Sequence, residues 1–142
     1  MLARCAMWQV SAFVAMGCFA AMQLIFAALS RRGMSAASVL VGVFAIGALL
    51  YSIHLSTTRA PLPRAPRDLA LVAAAAALSY VGNWLLVRAL AAAPNPGYAI
   101  AISGLQAVLV TVASIGVIGA EFSWMKAAGV VLCAAGVTLI VG

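Results

Sequence analysis

The sequence predicts an all-α membrane protein, a single domain over residues 1–142 built as a bundle of about five transmembrane helices. Two observations lead there. Of the 142 residues, 67% are hydrophobic, and only eight Lys or Arg and two Asp or Glu carry charge, too few to clothe a soluble domain of this size. The apolar residues also gather in runs of about 20 or more, long enough to cross ~30 Å of hydrocarbon as helices. The alternation that a barrel strand needs is missing, and in lipid a helix satisfies every backbone group within its own segment.

Five segments follow in order. The first runs from about Met7 to Ser30 and stops at Arg31-Arg32-Gly33, where Gly33 suits a C-cap. Its apolar run of about 24 residues has no clear A-x-A cleavage site before the next charges and is followed by more spans, so it is expected to be a retained helix and not a signal peptide. The second covers about Ser35 to Ser56. The connector TTRAPLPRAPRD then brings three prolines and three arginines, which do not belong in hydrocarbon. The third segment spans about 68–93 with Asp68 as its expected N-cap. The fourth spans about 96–119, with Asn95 as N-cap and Pro96 at the first-turn position, where its missing N–H costs nothing. Glu121, Ser123, Trp124 and Lys126 break the chain again before the fifth segment, about 124–142.

A formal net charge of +6 would suggest nucleic acid in a soluble chain. Here the cations lie between or beside the apolar runs, where topology-setting and headgroup-facing charges belong, and no nucleic-acid partner is expected. With five spans, Arg4, Arg59, Arg64, Arg67 and Lys126 share one side, and Arg31, Arg32 and the inward-placed Arg88 the other. Five against three favours a cytoplasmic N-terminus by a narrow margin, and a chain inserting in both orientations would show such a margin. Cys5, Cys18 and Cys133 form no CxxC and join no Cys/His cluster, so they read as small packing residues without metal or disulfide.

Polar groups inside the spans mark candidate sites. Tyr80, Trp84 and Arg88 follow at i, i+4 and i+8 along one stripe, with Arg88 either snorkelling to the interface over Trp84 or touching a solute. Asn83 lies deeper and either bonds a neighbouring helix or lines a cavity. Ala99, Ser103, Gln106, Val110 and Ser114 share a face of the fourth segment that suits protein or water better than lipid. Gln106 there serves close packing or a substrate. Gln23, in the last third of the first segment, admits both readings. Gly47, Tyr51 and His54 share a face of the second, and a lone His near an interface is ordinarily structural. Tyr80, Asn83, Arg88, Gln23, Ser103 and Gln106 are therefore the candidate cavity-wall residues.

No Asp or Glu lies deep in a span, since Asp68 and Glu121 both sit at boundaries. A proton-driven exchanger commonly titrates a buried carboxylate, and none is present in these spans. Paired carboxylates, a Ser/His/Asp set, a metal cluster and a Gly-rich phosphate loop are missing as well, so neither an enzyme nor a cofactor is expected.

The second half of the sequence resembles an EamA-type half-domain of the drug/metabolite transporter superfamily. The likeness rests on Ala89-Leu90 before a Pro94-containing loop, on Gly119 with Glu121 closing the next helix, and on Gly129 and Gly136 seven residues apart in the last. It covers roughly Tyr80 to Gly142, with the span count and length of the whole chain in agreement. Two departures are the lack of a Pro between Pro96 and Gly142 and a Glu121-to-Gly129 spacing about one residue short of the family's habit. The resemblance implies one inverted-repeat half of a ten-helix transporter, with a solute cavity between two halves of opposite orientation. This chain would then work as an inverted homodimer or with a related half as heterodimer, embedded in lipid, in the bacterial inner membrane. The shorter small multidrug resistance relatives use an acidic residue in the first helix, and this first helix has none, so drug/proton antiport by that route is disfavoured. A neutral or anionic metabolite fits the residues better than a cationic drug. The rival expectation is a non-transporting membrane subunit or assembly factor whose polar residues only join helices.

Overall fold

The computed structural model describes residues 2–59, 61–121 and 123–141. All regular structure among them is helical: α1 Leu2–Arg31, α2 Ala36–Thr58, α3 Pro66–Ala92, α4 Pro96–Gly104, α5 Gln106–Ile118 and α6 Trp124–Val141. Four stretches are long and apolar enough to cross a membrane: Gln9–Arg31, Ala36–Thr58, Pro66–Ala92 and Pro96–Ile118. The last comprises α4 and α5 together. In α6 the apolar stretch among the described residues is Ala127–Val137.

Local chemistry explains the boundaries. Gly33 ends α1 with φ +85°, and the chain folds back so that Met34 N–H reaches the Leu29 carbonyl at 3.3 Å. Ser35 caps α2 by accepting the Ser38 N–H at 3.1 Å. At the far end of α2, Arg59 takes the left-handed conformation, φ 49°, that more often falls to glycine. Asn95 caps α4 by accepting the Gly97 N–H at 2.9 Å, and Pro96 follows in the first turn. Gly119, φ +64°, ends α5, and the Ala120 N–H returns to the Ser114 carbonyl at 3.2 Å.

Two expectations change. Asp68 is not the N-cap of α3. That helix begins two residues earlier at Pro66, whose fixed φ suits a first turn, and the Ala65 carbonyl already accepts the Leu69 N–H at 3.1 Å. Asp68 lies in the first turn, where its carboxylate still favours the positive end of the helix. The fourth segment is also not one unbroken helix. At Leu105 the N–H bonds the Ile102 carbonyl at 3.1 Å, and Val108 N–H bonds the Leu105 carbonyl at 3.0 Å, a single 3₁₀ step. Gly104, a poor helix former, precedes the step, and Ser103 Oγ donates back to the Ile100 carbonyl at 2.9 Å.

The chain divides into two compact units, 1–92 and 93–142. In the first, short connections make α1, α2 and α3 successive antiparallel neighbours. Among the described residues its buried side chains are Phe26 and Ala27 near the end of α1, Val39 and Leu40 near the start of α2, and Val87 and Leu90 near the end of α3. That antiparallel order puts all six at one end of the unit. In the second unit α6 packs against α4 and α5. Elsewhere large apolar side chains such as Phe13, Leu49 and Leu109 face outward, as lipid-facing helices require.

Candidate functional site

The buried end of the first unit is the floor of a cavity of about 730 Å³ between α1, α2 and α3. Phe26 and Leu40 belong both to the buried set and to the cavity lining. From the floor the wall rises along α2 through Phe44, Gly47 and Tyr51 to His54 at the rim, 14 residues from Leu40 and so about 21 Å along the helix. α1 adds Phe19 and Met22. α3 adds Ser79 and Asn83, which stand one above the other at i and i+4. Asn83 lies one turn before the buried Val87, which puts this polar pair close to the floor.

Asn83 is half-buried, and its Nδ2 donates to the Ser79 carbonyl at 2.8 Å and to Ser79 Oγ at 3.1 Å. None of the described lining residues is Asp, Glu, Lys or Arg. The site is therefore aromatic and apolar, with one amide–hydroxyl pair low on its wall and a phenol and an imidazole nearer the mouth. Such a lining holds a solute through ring contacts and directional hydrogen bonds, without ion pairing.

Tyr80 lies elsewhere. With Trp84, Leu40 and Phe44 it lines a neighbouring cleft of about 360 Å³ between α2 and α3, and Ser79 borders both spaces. Arg88 lines neither. Its guanidinium carbon sits 4.7 Å from the centre of the Trp84 ring, a cation–π stack that carries the charge along the helix surface. Gln23 is half-buried on α1, and it too is missing from the cavity lining.

Ser103 and Gln106 lie in the second unit, on either side of the 3₁₀ step. A cleft of about 570 Å³ between α4, α5 and α6 is lined by Gly104, Leu105, Val108, Gly129 and Cys133 among others, but by neither Ser103 nor Gln106. Ser103 is half-buried and bonded to its own helix, whereas Gln106 is exposed. Gln23 and Gln106 make no side-chain hydrogen bond to any described residue. Gly129, singled out as a family position, lines the same cleft as Gly104, and a Cβ at either would meet nothing within 4 Å.

Of the six candidates the structure thus brings only Asn83 to the large cavity, and Tyr80 to its neighbour. Ser79 escaped notice in the sequence because an isolated serine in an alanine-rich helix has no signal of its own. Its place four residues before Asn83 was the available clue. The aromatic wall of Phe19, Phe26 and Phe44 was hidden because phenylalanine is ordinary in any membrane span.

The EamA-like transporter family model matches residues 6–142. No curated protein and no solved structure matches the chain.

Proposed function

The chain belongs to the EamA-like transporter family, and from that premise we propose that it is one half of a transporter moving a small metabolite across a bacterial inner membrane. The observation that carries this reading is the cavity of about 730 Å³, lined by rings and by the Ser79–Asn83 pair in a unit otherwise built for lipid. Phe19, Phe44, Leu50 and Tyr51 are exposed along the cavity, so it is an open groove that a solute can reach, and helix packing alone makes no use of its polar pair. The polar groups of the cavity, the Asn83 amide, the Ser79 hydroxyl, the Tyr51 phenol and the His54 imidazole, suit holding a solute, which favours transport over catalysis.

The working unit contains a second half in inverted orientation, either another copy of this chain or a related partner. The free amides of Gln23 and Gln106 support that, since a primary amide facing hydrocarbon is costly and a partner helix or a solute would satisfy it. Helical bundles of this kind belong to inner membranes, whereas closed barrels occupy the outer one.

The test is counterflow in proteoliposomes loaded with pooled metabolites, comparing wild type with Asn83→Leu and Gln106→Leu. Loss of flux with an unchanged oligomer supports the transporter half. Collapse of the oligomer in both variants, with no flux from wild type for any solute, supports a non-transporting membrane subunit instead.

A further inference from the structure

Ser79 and Asn83 bond to each other on the cavity wall and still leave polar groups unused there, whereas the amides of Gln23 and Gln106, unpaired among the described residues, lie outside the cavity lining. Several hydroxyls elsewhere donate to carbonyls of their own helix, Ser52 to Ala48, Thr111 to Ala107 and Ser114 to Thr111, while the buried Ser30 Oγ has no partner among the described residues. Ser79 Oγ instead accepts from Asn83 Nδ2. Because a carbonyl cannot donate, the 2.8 Å contact to the Ser79 backbone oxygen fixes which end of the Asn83 amide is the NH2. Two groups remain without a partner among the described residues: the Ser79 hydroxyl proton, a donor, and Asn83 Oδ1, an acceptor. They lie on adjacent turns, both on the cavity wall near its floor.

We propose that this donor–acceptor pair recognises the solute, and that the solute is an uncharged, flat molecule carrying an adjacent acceptor and donor on one edge, as an amide, lactam or imide does. The inference deepens the transporter reading and rests on it for the direction of use, but the binding site stands on its own geometry. An acceptor on the solute takes the Ser79 proton while a donor beside it reaches Asn83 Oδ1, and the flat body lies among Phe19, Phe26 and Phe44. A carboxylate would meet Asn83 Oδ1 lone pair to lone pair, with no lining Lys or Arg to compensate. An organic cation with donors only would leave the Ser79 proton bare in an apolar site. His54, the one titratable imidazole of the lining, stands about 21 Å along α2 from the floor and does not alter the charge balance there.

The probe is benzamide, with benzoate and benzamidine as its anionic and cationic counterparts of like shape. Binding of tritiated benzamide to the full chain in lipid nanodiscs should be displaced by unlabelled benzamide at least about tenfold better than by either ion. Ser79→Ala and Asn83→Leu should each weaken benzamide binding about five- to tenfold, the size of one lost hydrogen bond. Ser79→Thr, which keeps the hydroxyl, should bind as wild type. Asn83→Asp should turn the preference toward benzamidine, because the amide becomes a carboxylate. Helical content and elution volume establish that each variant is folded, and if Asn83→Leu fails there, Ser79→Ala decides. Equal displacement by the ions, no benzamide binding, or a folded Ser79→Ala that binds as wild type overturns the proposal. Benzamide binding without flux of any solute upholds this site and overturns transport. Flux of other solutes without benzamide binding does the reverse.

Discussion

A residue's place in an apolar helix matters less than what its hydrogen-bonding groups have left to offer. Arg88 is the strongest charge inside any span, yet its stack on Trp84 at 4.7 Å and its absence from both cavities of the first unit make it an anchoring residue. Arg88→Ala should therefore change solute binding by less than about twofold. Trp84→Ala should lower unfolding stability in a detergent titration by about 1 kcal/mol or more, because both the ring's packing and the cation–π contact go. A large loss of binding in Arg88→Ala would return this cation to the solute path. Asn83 was legible as a candidate because amides are rare in spans. That Ser79 completes it was not, because the pairing depends on which way each side chain turns on the helix.

At the scale of the element, end signals were the legible part. Gly33, Asn95 and Pro96 lie where glycine, asparagine and proline chemistry directs, and Gly119 closes α5 in the left-handed region. The misplaced start of α3 and the step at Leu105 share a cause. Each turns on a competition of about 1 kcal/mol, Pro66 against Asp68 as the starting residue and Ser103 against the helix ladder, and hydropathy does not resolve differences that small. The left-handed positions supply a paired prediction. Gly119→Ala should lower stability by about 1 kcal/mol, because a Cβ is strained at φ +64°. Arg59→Gly should raise it by up to the same amount, since φ 49° already strains a non-glycine residue. Equal and negligible midpoint shifts in the two variants would mean that these helix ends do not limit unfolding. Ser35→Ala should cost about 1 kcal/mol on the same assay through loss of the cap on Ser38 N–H.

At the scale of the molecule, the division into units 1–92 and 93–142 was invisible in the sequence. Helices that meet lipid are apolar over most of their surface, and the few polar stripes, such as Ser103–Gln106–Ser114, do not say which helices pack together. Charge placement, by contrast, carries an argument that the structure of one chain leaves intact. With Arg31 and Arg32 against the cations of the N-terminus and of the α2–α3 connector, the topological bias is narrow. A half that pairs with an inverted copy of itself needs a bias of that kind, because both orientations must be populated from one gene product. Replacing Arg31 and Arg32 by Ser leaves five cations against one and should leave only chains with a cytoplasmic N-terminus, and replacing Arg4, Arg59, Arg64, Arg67 and Lys126 by Ser leaves none against three and should give only the reverse. Each mutant alone should lose flux, while co-expression of the two should restore it, because the pair reconstitutes opposite halves. Side-specific labelling of a cysteine added after α6 reads the orientations. Wild-type chains labelled from one side only, with flux intact, would show that the second half is a different protein and that the narrow charge bias plays no part in assembly.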